Sequence, residues 1–175
     1  RVFIMHARKA VLAGLSPKQN RDVPPLHYDW VYRLKQESPE LQVVINGGID
    51  SVAAVKNHLD HVDGVMLGRA AYHTPWLLAE CQQQLFEKQT IKTREDIIES
   101  MIAYIERQSG KGVAVKHISR HLLGLFQGLP GAKAWRRYLS ENAYRDDNNT
   151  ALLDQALAAM KNAAGRSGAS EAIPM

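Results

Sequence analysis

Cysteine is almost missing. Cys81 is alone among 175 residues, so no internal disulfide can form, a disulfide-stapled scaffold is excluded, and a reducing, cytoplasmic setting is expected. Long apolar runs are missing too: nothing reaches the roughly 18 to 20 residues a membrane-spanning helix needs, so no membrane partner is expected. There is no internal repeat, no compositional extreme and no pattern that asks for a metal. Hydrophobic residues are 45% and charged residues 23% of the chain, which excludes a disordered or collagen-like polymer. The length suits one ordinary domain or two small ones. The chain also lacks an initiator methionine and a signal-peptide pattern, opening on Arg1-Val2-Phe3-Ile4-Met5 as if inside a buried strand. The expectation is a piece of a longer protein.

Two kinds of patterning divide what is present. Up to about residue 85, apolar runs alternate with helical spacing. Val2–Met5, Gln42–Ile45 and Gly64–Leu67 read as strands, apolar at consecutive positions and therefore covered on both faces, as parallel strands are. Helices are expected at Tyr28–Glu37, stopped by Ser38-Pro39, and at Ser51–Leu59, where Ser51 caps. Such an order predicts a parallel α/β architecture, and three strands alone cannot close a barrel. From Thr93 onward strand signals are missing. Helices are expected over 94–110, 113–127, from Pro130, and from Thr150 to Ala163, forming a small four-helix bundle. The domains expected are therefore 1–85, 86–164 and a loose tail, 165–175.

The formal charge of +4 is unevenly spread. Residues 111–145 carry seven Lys or Arg against the single acid Glu141, and residues 1–35 carry seven against Asp22 and Asp29. Two basic zones point to a polyanionic partner.

In parallel α/β folds ligands gather at the carboxyl ends of strands. The three expected strands end in His6-Ala7-Arg8-Lys9, in Asn46-Gly47-Gly48-Ile49 and in Gly68-Arg69-Ala70. Glycines let backbone amides approach a phosphate, and a guanidinium grips its oxygens with a fork of donors. Each motif alone is more often a turn. At consecutive strand ends they favour a phosphate site. Cys81 sits in Leu77–Gln82 with no histidine or cation within a helical turn, and reads as a structural thiol.

The helical half carries a different signal. Lys116, His117, Arg120 and His121 fall on one side of the expected helix, and Gly124 and Gly128 continue it with bare backbone open to a partner. Val115, Ile118, Leu122, Leu125 and Phe126 oppose them. In the next helix Lys133, Arg136, Arg137 and Ser140 share a side, away from Trp135 and Leu139. An ordinary solvated face mixes signs; a nearly pure cationic one suits a nucleic-acid backbone.

These residues resemble a known family. His6–Ala10, Gly14–Arg21 followed by Pro24-Pro25-Leu26, Val44–Ile49, Asp63–Tyr72, Lys116–His121 and Gly131–Arg137 are similar to the C-terminal half of tRNA-dihydrouridine synthases, in particular the subfamily acting on D-loop uridines 20 and 20a. The glycine motifs occur in flavin barrels generally, whereas Ser16–Arg21 and the two helical motifs are more specific.

The resemblance implies the C-terminal part of an FMN-binding TIM (β/α)8 barrel, about three β/α units, followed by a helical tRNA-binding domain. It implies NADPH as reductant and tRNA, not DNA, as partner. His6, Asn46, Gly47, Gly48, Gly68 and Arg69 match FMN-binding positions; Lys18, Arg21, Lys133, Arg136 and Arg137, with Lys116 and Arg120, match regions that contact tRNA. The family's proton-donating cysteine belongs to an earlier strand, so no catalytic residue is expected here and Cys81 is no substitute. In isolation the chain is expected to be inactive, and a monomer is favoured. Two other readings stand beside this one. An RNA-binding module without chemistry explains the basic helices, and another FMN barrel oxidoreductase explains the glycine loops alone.

Overall fold

A computed structural model describes residues 1–11, 13–86, 92–146 and 149–170, with side chains as far as Arg166. The chain forms two compact units, Arg1–Ala71 with Leu77–Gln89, and Tyr72–Trp76 with Thr90–Met175.

The first unit is built on three parallel strands, β1 (Val2–His6), β2 (Gln42–Asn46) and β3 (Gly64–Met66), in the order β1-β2-β3. Between β1 and β2 lie α1 (Pro17–Asp22) and α2 (Tyr28–Glu37), and α3 (Val52–Leu59) joins β2 to β3. The helices α4 (Arg69–His73) and α5 (Trp76–Leu85) follow. In β2, Val43 and Ile45 are fully buried, packed with Val31, Val52 and Val55 from the helices. Register places Phe3 opposite Val43 and Met5 opposite Ile45, on the helix side of the sheet, where they remain 39% and 36% exposed. Val2 and Ile4 point the other way and are 61% exposed. The expectation of strands covered on both faces is therefore corrected: apolar residues do run consecutively, but the helices of this unit cover one face only. The other face of β1 is open.

Short-range chemistry sets the elements. The Ser51 side chain accepts from the Ala54 amide at 3.2 Å and caps α3, an interaction worth about 1 kcal/mol. The Asp63 carboxylate takes the Val43 amide at 2.8 Å and Lys35 Nζ at 2.9 Å, pinning the start of β2. His58 of α3 is buried, with Tyr32 Oη 2.6 Å from its Nδ1 and the Tyr28 ring edge-on at 4.4 Å, which ties α3 to α2. The segment around Ser16–Arg21 contains a short helix, α1. Its capping box joins Ser16 to Gln19, and Asn20 holds Val11 through both its amide and its carbonyl.

The second unit contains α6 (Arg94–Ser109), α7 (Lys116–Ser119), α8 (Ala132–Asn142) and α9 (Leu152–Ser170). Thr93 and Asp96 form a capping box at the start of α6. Ile98 and Ile105 of α6, Leu139 of α8 and Leu152, Leu153 and Ala156 of α9 meet around Trp135, which is fully buried. The Trp135 indole N–H donates to the Leu122 carbonyl at 3.0 Å, and the Phe126 ring meets the indole edge-on at 4.8 Å.

Two expectations are corrected here. The helix over 113–127 is a single turn, α7, after which residues 120–131 run through turns closed by i+3 bonds such as Leu122 N–H to Ser119 and Leu125 N–H to Leu122. The unit thus has three long helices and a turn-rich segment among its described residues, where a four-helix bundle was expected. The cause is tertiary. The Leu122 carbonyl is taken by an indole, and Gly124 packs so closely on the 73–75 segment that a Cβ would lie 2.0 Å from the His73 carbonyl oxygen. The second concerns the last helix, which passes Ala163 and continues as α9 to Ser170; of the expected tail 165–175, residues 171–175 lie outside the described residues. Among the described residues no helix is long and apolar enough to cross a membrane.

Candidate cofactor and nucleic-acid sites

The carboxyl ends of the three strands bring the expected phosphate-site residues side by side. His6 pairs with Asn46 across β1 and β2, and Asn46 with Met66 across β2 and β3. By register all three side chains lie on the open face of the sheet. The Arg8 amide donates to His6 Nδ1 at 3.1 Å, so the proton of a neutral His6 sits on Nε2 and is available as a donor. Gly47 and Gly48 follow with φ of +125° and +69°, under Leu26, and Tyr28 Oη donates to the Gly47 carbonyl at 2.8 Å. Their own backbone demands glycine. Gly68 is different: it has no positive φ, and a Cβ there would meet nothing within 4 Å. The fold gives no internal reason for a glycine at that strand end, whereas close approach of an external phosphate gives one. Arg8 Nε, just beyond β1, is buried with no hydrogen-bond partner among the described residues. Glycines, a histidine N–H and guanidinium groups are a donor set that fits the phosphate of FMN.

Arg69 does not stand open at the end of β3. Its NH1 donates to Asp22 Oδ1 at 2.7 Å and its NH2 to the Arg21 carbonyl at 3.4 Å. The Arg69 guanidinium beside Asp22 holds that carboxyl below its ordinary range. Arg8 also donates to the Asp22 carbonyl at 3.0 Å and to the Pro24 carbonyl. The α1 helix, which displays Lys18 and Arg21 to solvent, is thereby anchored to the residue after Gly68. From sequence Arg69 and Arg21 have separate tasks, and nothing there signals Asp22 between them.

In the second unit Lys133 and Arg137 are exposed on α8, and Arg136 is half-buried, donating to Gln127. Lys116 and Arg120 border a cavity of about 180 Å³ with Ser119, Ser140 and Tyr144. Arg120 and Arg136 border a larger one of about 450 Å³, together with Tyr72, His73 and His121. The expected continuous cationic side through Gly124 and Gly128 is broken by the turns. Gly124 faces the 73–75 segment, not an open surface. Tyr72 and His73 went unassigned in the sequence, because they reach this cavity from about fifty positions upstream of His121, a separation with no local signature (Tyr72 to His121, |i−j| = 49).

Cys81 is buried in the core of the first unit beside Leu77, and burial pushes its thiol pKa up. A thiol so placed is a poor acid. Among the described residues no group of three His, Cys, Asp or Glu could hold a metal ion.

One unit of parallel strands with glycines and cations at their carboxyl ends, and a second, helical unit, define an α/β protein with an additional helical unit. The family model for Dihydrouridine synthase (Dus) matches residues 1–164, and the chain belongs to that family. It is 52% identical over 157 residues to the tRNA-dihydrouridine(20/20a) synthase of Vibrio vulnificus, covering 89% of this chain and 48% of the relative. The protein of the same description from Shewanella oneidensis is 55% identical over 145 residues, 82% of this chain and 43% of the relative. That from Haemophilus ducreyi is 53% identical over 156 residues, 89% and 48%. The chain thus spans about half the length of the curated relatives it matches.

Proposed function

We propose that this chain is the carboxyl-terminal portion of an oxidoreductase that reduces D-loop uridines 20 and 20a of tRNA to dihydrouridine, with FMN as cofactor and NADPH as reductant. The observation that supports it best is the row of strand ends holding His6, Asn46, Gly47, Gly48, Gly68 and Arg69, with an open glycine at its edge. Family membership supplies the chemical class. In this reading β1, β2 and β3 are about three of the roughly eight strands of a TIM barrel, and the open sheet face is part of its interior. FMN, when bound, supplies hydride transfer. The residues of this chain hold its phosphate end: Arg69, paired with Asp22, brings a guanidinium to that rim, and the strand-end amides and His6 donate hydrogen bonds. Lys18 and Arg21 of α1, with Lys116, Arg120, Lys133, Arg136 and Arg137 of the helical unit, contact the tRNA backbone. The proton donor for the reaction lies outside this chain.

The test uses the full-length protein, with flavin content read from its visible absorbance and tRNA affinity measured at fixed salt. Arg69→Ala should reduce bound flavin several-fold. Lys133→Glu with Arg136→Glu should weaken tRNA binding about tenfold or more, as loss of two phosphate contacts requires, and leave flavin content unchanged. Undiminished flavin in Arg69→Ala would remove the strand-end site, and unchanged tRNA affinity in the double variant would remove the helical unit from recognition. The 175-residue chain alone should show no saturable FMN binding.

A further inference from the structure

The larger cavity of the helical unit has a polarity that its lining residues dictate. It measures about 450 Å³ and is bordered by Tyr72, His73, Arg120, His121, Gln127 and Arg136 among others, with no carboxylate among the described residues of its wall. That volume is in the range of small-ligand sites, roughly 300 to 1,000 Å³. Its hydrogen bonds form a directed chain. Arg120 Nε can only donate, and it lies 3.2 Å from His121 Nε2, so that nitrogen carries the lone pair. The ring proton then sits on Nδ1, 3.0 Å from Tyr72 Oη, which accepts it. The Tyr72 hydroxyl hydrogen is left to point away from His121. At the other wall Gln127 spends its carbonyl oxygen on Arg136, leaving its amide N–H2 as the outward group. The wall is therefore rich in donors, and its Thr74 hydroxyl and His73 ring can donate as well as accept. Tyr72 is itself 54% exposed and held edge-on by both His73 and His121, at 5.6 and 5.7 Å.

We propose that this cavity binds one phosphodiester of the RNA substrate with its adjoining nucleoside. Arg120 and Arg136 take the phosphate oxygens, the Tyr72 hydroxyl donates to one of them, and the fixed Tyr72 ring offers a surface for the ribose or base. A site lined by donors and cations with an aromatic platform matches a nucleotide unit in charge and in shape. The inference rests on the RNA-binding reading above. It goes further in committing to one cavity, one nucleotide unit and Tyr72.

The experiment measures anisotropy of a labelled, unmodified tRNA transcript with the 175-residue chain over a salt series. Arg120→Gln should weaken binding about tenfold and lower the salt slope by about one phosphate contact. Tyr72→Phe should weaken it several-fold with the slope unchanged, since a neutral donor is lost and the ring kept. Lys161→Gln, an exposed cation of α9 that pairs with Glu95 and is not among the lining residues, should change affinity less than twofold. The ring-proton resonances of His73 and His121 should shift on adding the transcript, a readout that needs no substitution. Absence of any tRNA binding by the unsubstituted chain would overturn the RNA-binding reading itself. Normal binding with unmoved histidine resonances and an unaltered slope in Arg120→Gln would overturn the cavity and leave that reading intact. Histidine shifts caused by NADPH and not by tRNA would reassign the cavity to a dinucleotide and overturn the RNA assignment.

Discussion

Gly68 and Gly124 are the same residue type doing opposite things. At Gly124 a Cβ would sit 2.0 Å from the His73 carbonyl oxygen and 2.7 Å from its carbon, so the fold itself excludes any side chain. At Gly68 a Cβ meets nothing within 4 Å. Gly124→Ala should therefore lower the stability of the chain by about 3 kcal/mol, the upper end for forcing atoms into a packed site. Gly68→Ala should change it by no more than about 0.5 kcal/mol. Denaturant midpoints at equal slope read the difference, and equal midpoints for the two variants would refute it. The sequence marked both glycines as points of close approach but could not say to what. By sequence Gly124 is open to a partner; in the structure what approaches it is a segment about fifty positions away. Asp22 was likewise illegible, because nothing in α1 announces that Arg69 will reach it.

Elements were legible where local pattern and tertiary context agreed. The three strands and α2, α3 and α6 lie within a residue or two of their expected places, because apolar spacing, Ser51 and Thr93 all point the same way. The segment after α7 was not legible, since its Leu122 carbonyl is captured by the Trp135 indole and the helical bond pattern yields. The junction of α2 and α3 carries a pH dependence. His58 is buried against Tyr28 and Tyr32, and burial, followed by the nearby His61, lowers its pKa below the usual 6.5. The folded chain keeps His58 neutral while the unfolded chain protonates it. Its contribution to stability is thus complete above pH 6.5 and is lost as pH falls through 6.5 toward the lower folded value. The melting temperature should drop over that window in the unsubstituted chain and drop less in His58→Gln. Parallel pH profiles for the two would show that another group is responsible.

For the whole chain, the open sheet face is the governing feature. Val2 and Ile4 are 61% exposed on β1 and Met66 is 42% exposed on β3, an apolar surface beside an unpaired strand edge. Such an edge recruits further strands. The 175-residue chain alone should self-associate as its concentration rises, and Ile4→Lys, which places a charge on the uncovered face, should suppress this. Light scattering coupled to size exclusion measures it; a chain that stays monomeric at high concentration would contradict the exposure of that face. From sequence, three strands too few for a barrel already predicted an incomplete sheet, but which face would be bare depended on where α2 and α3 packed.

The three tryptophans occupy three unlike surroundings. Trp30 lies stacked on His27 at 4.0 Å and is 51% exposed, Trp76 sits 3.9 Å beneath the Arg94 guanidinium, and Trp135 sees no solvent. Water reorients around an excited indole and reddens its emission, so light from Trp135 belongs to the blue edge and light from Trp30 to the red. The protein carries a built-in optical label: the blue edge follows melting of the helical core, while the red edge follows the first turn of α2.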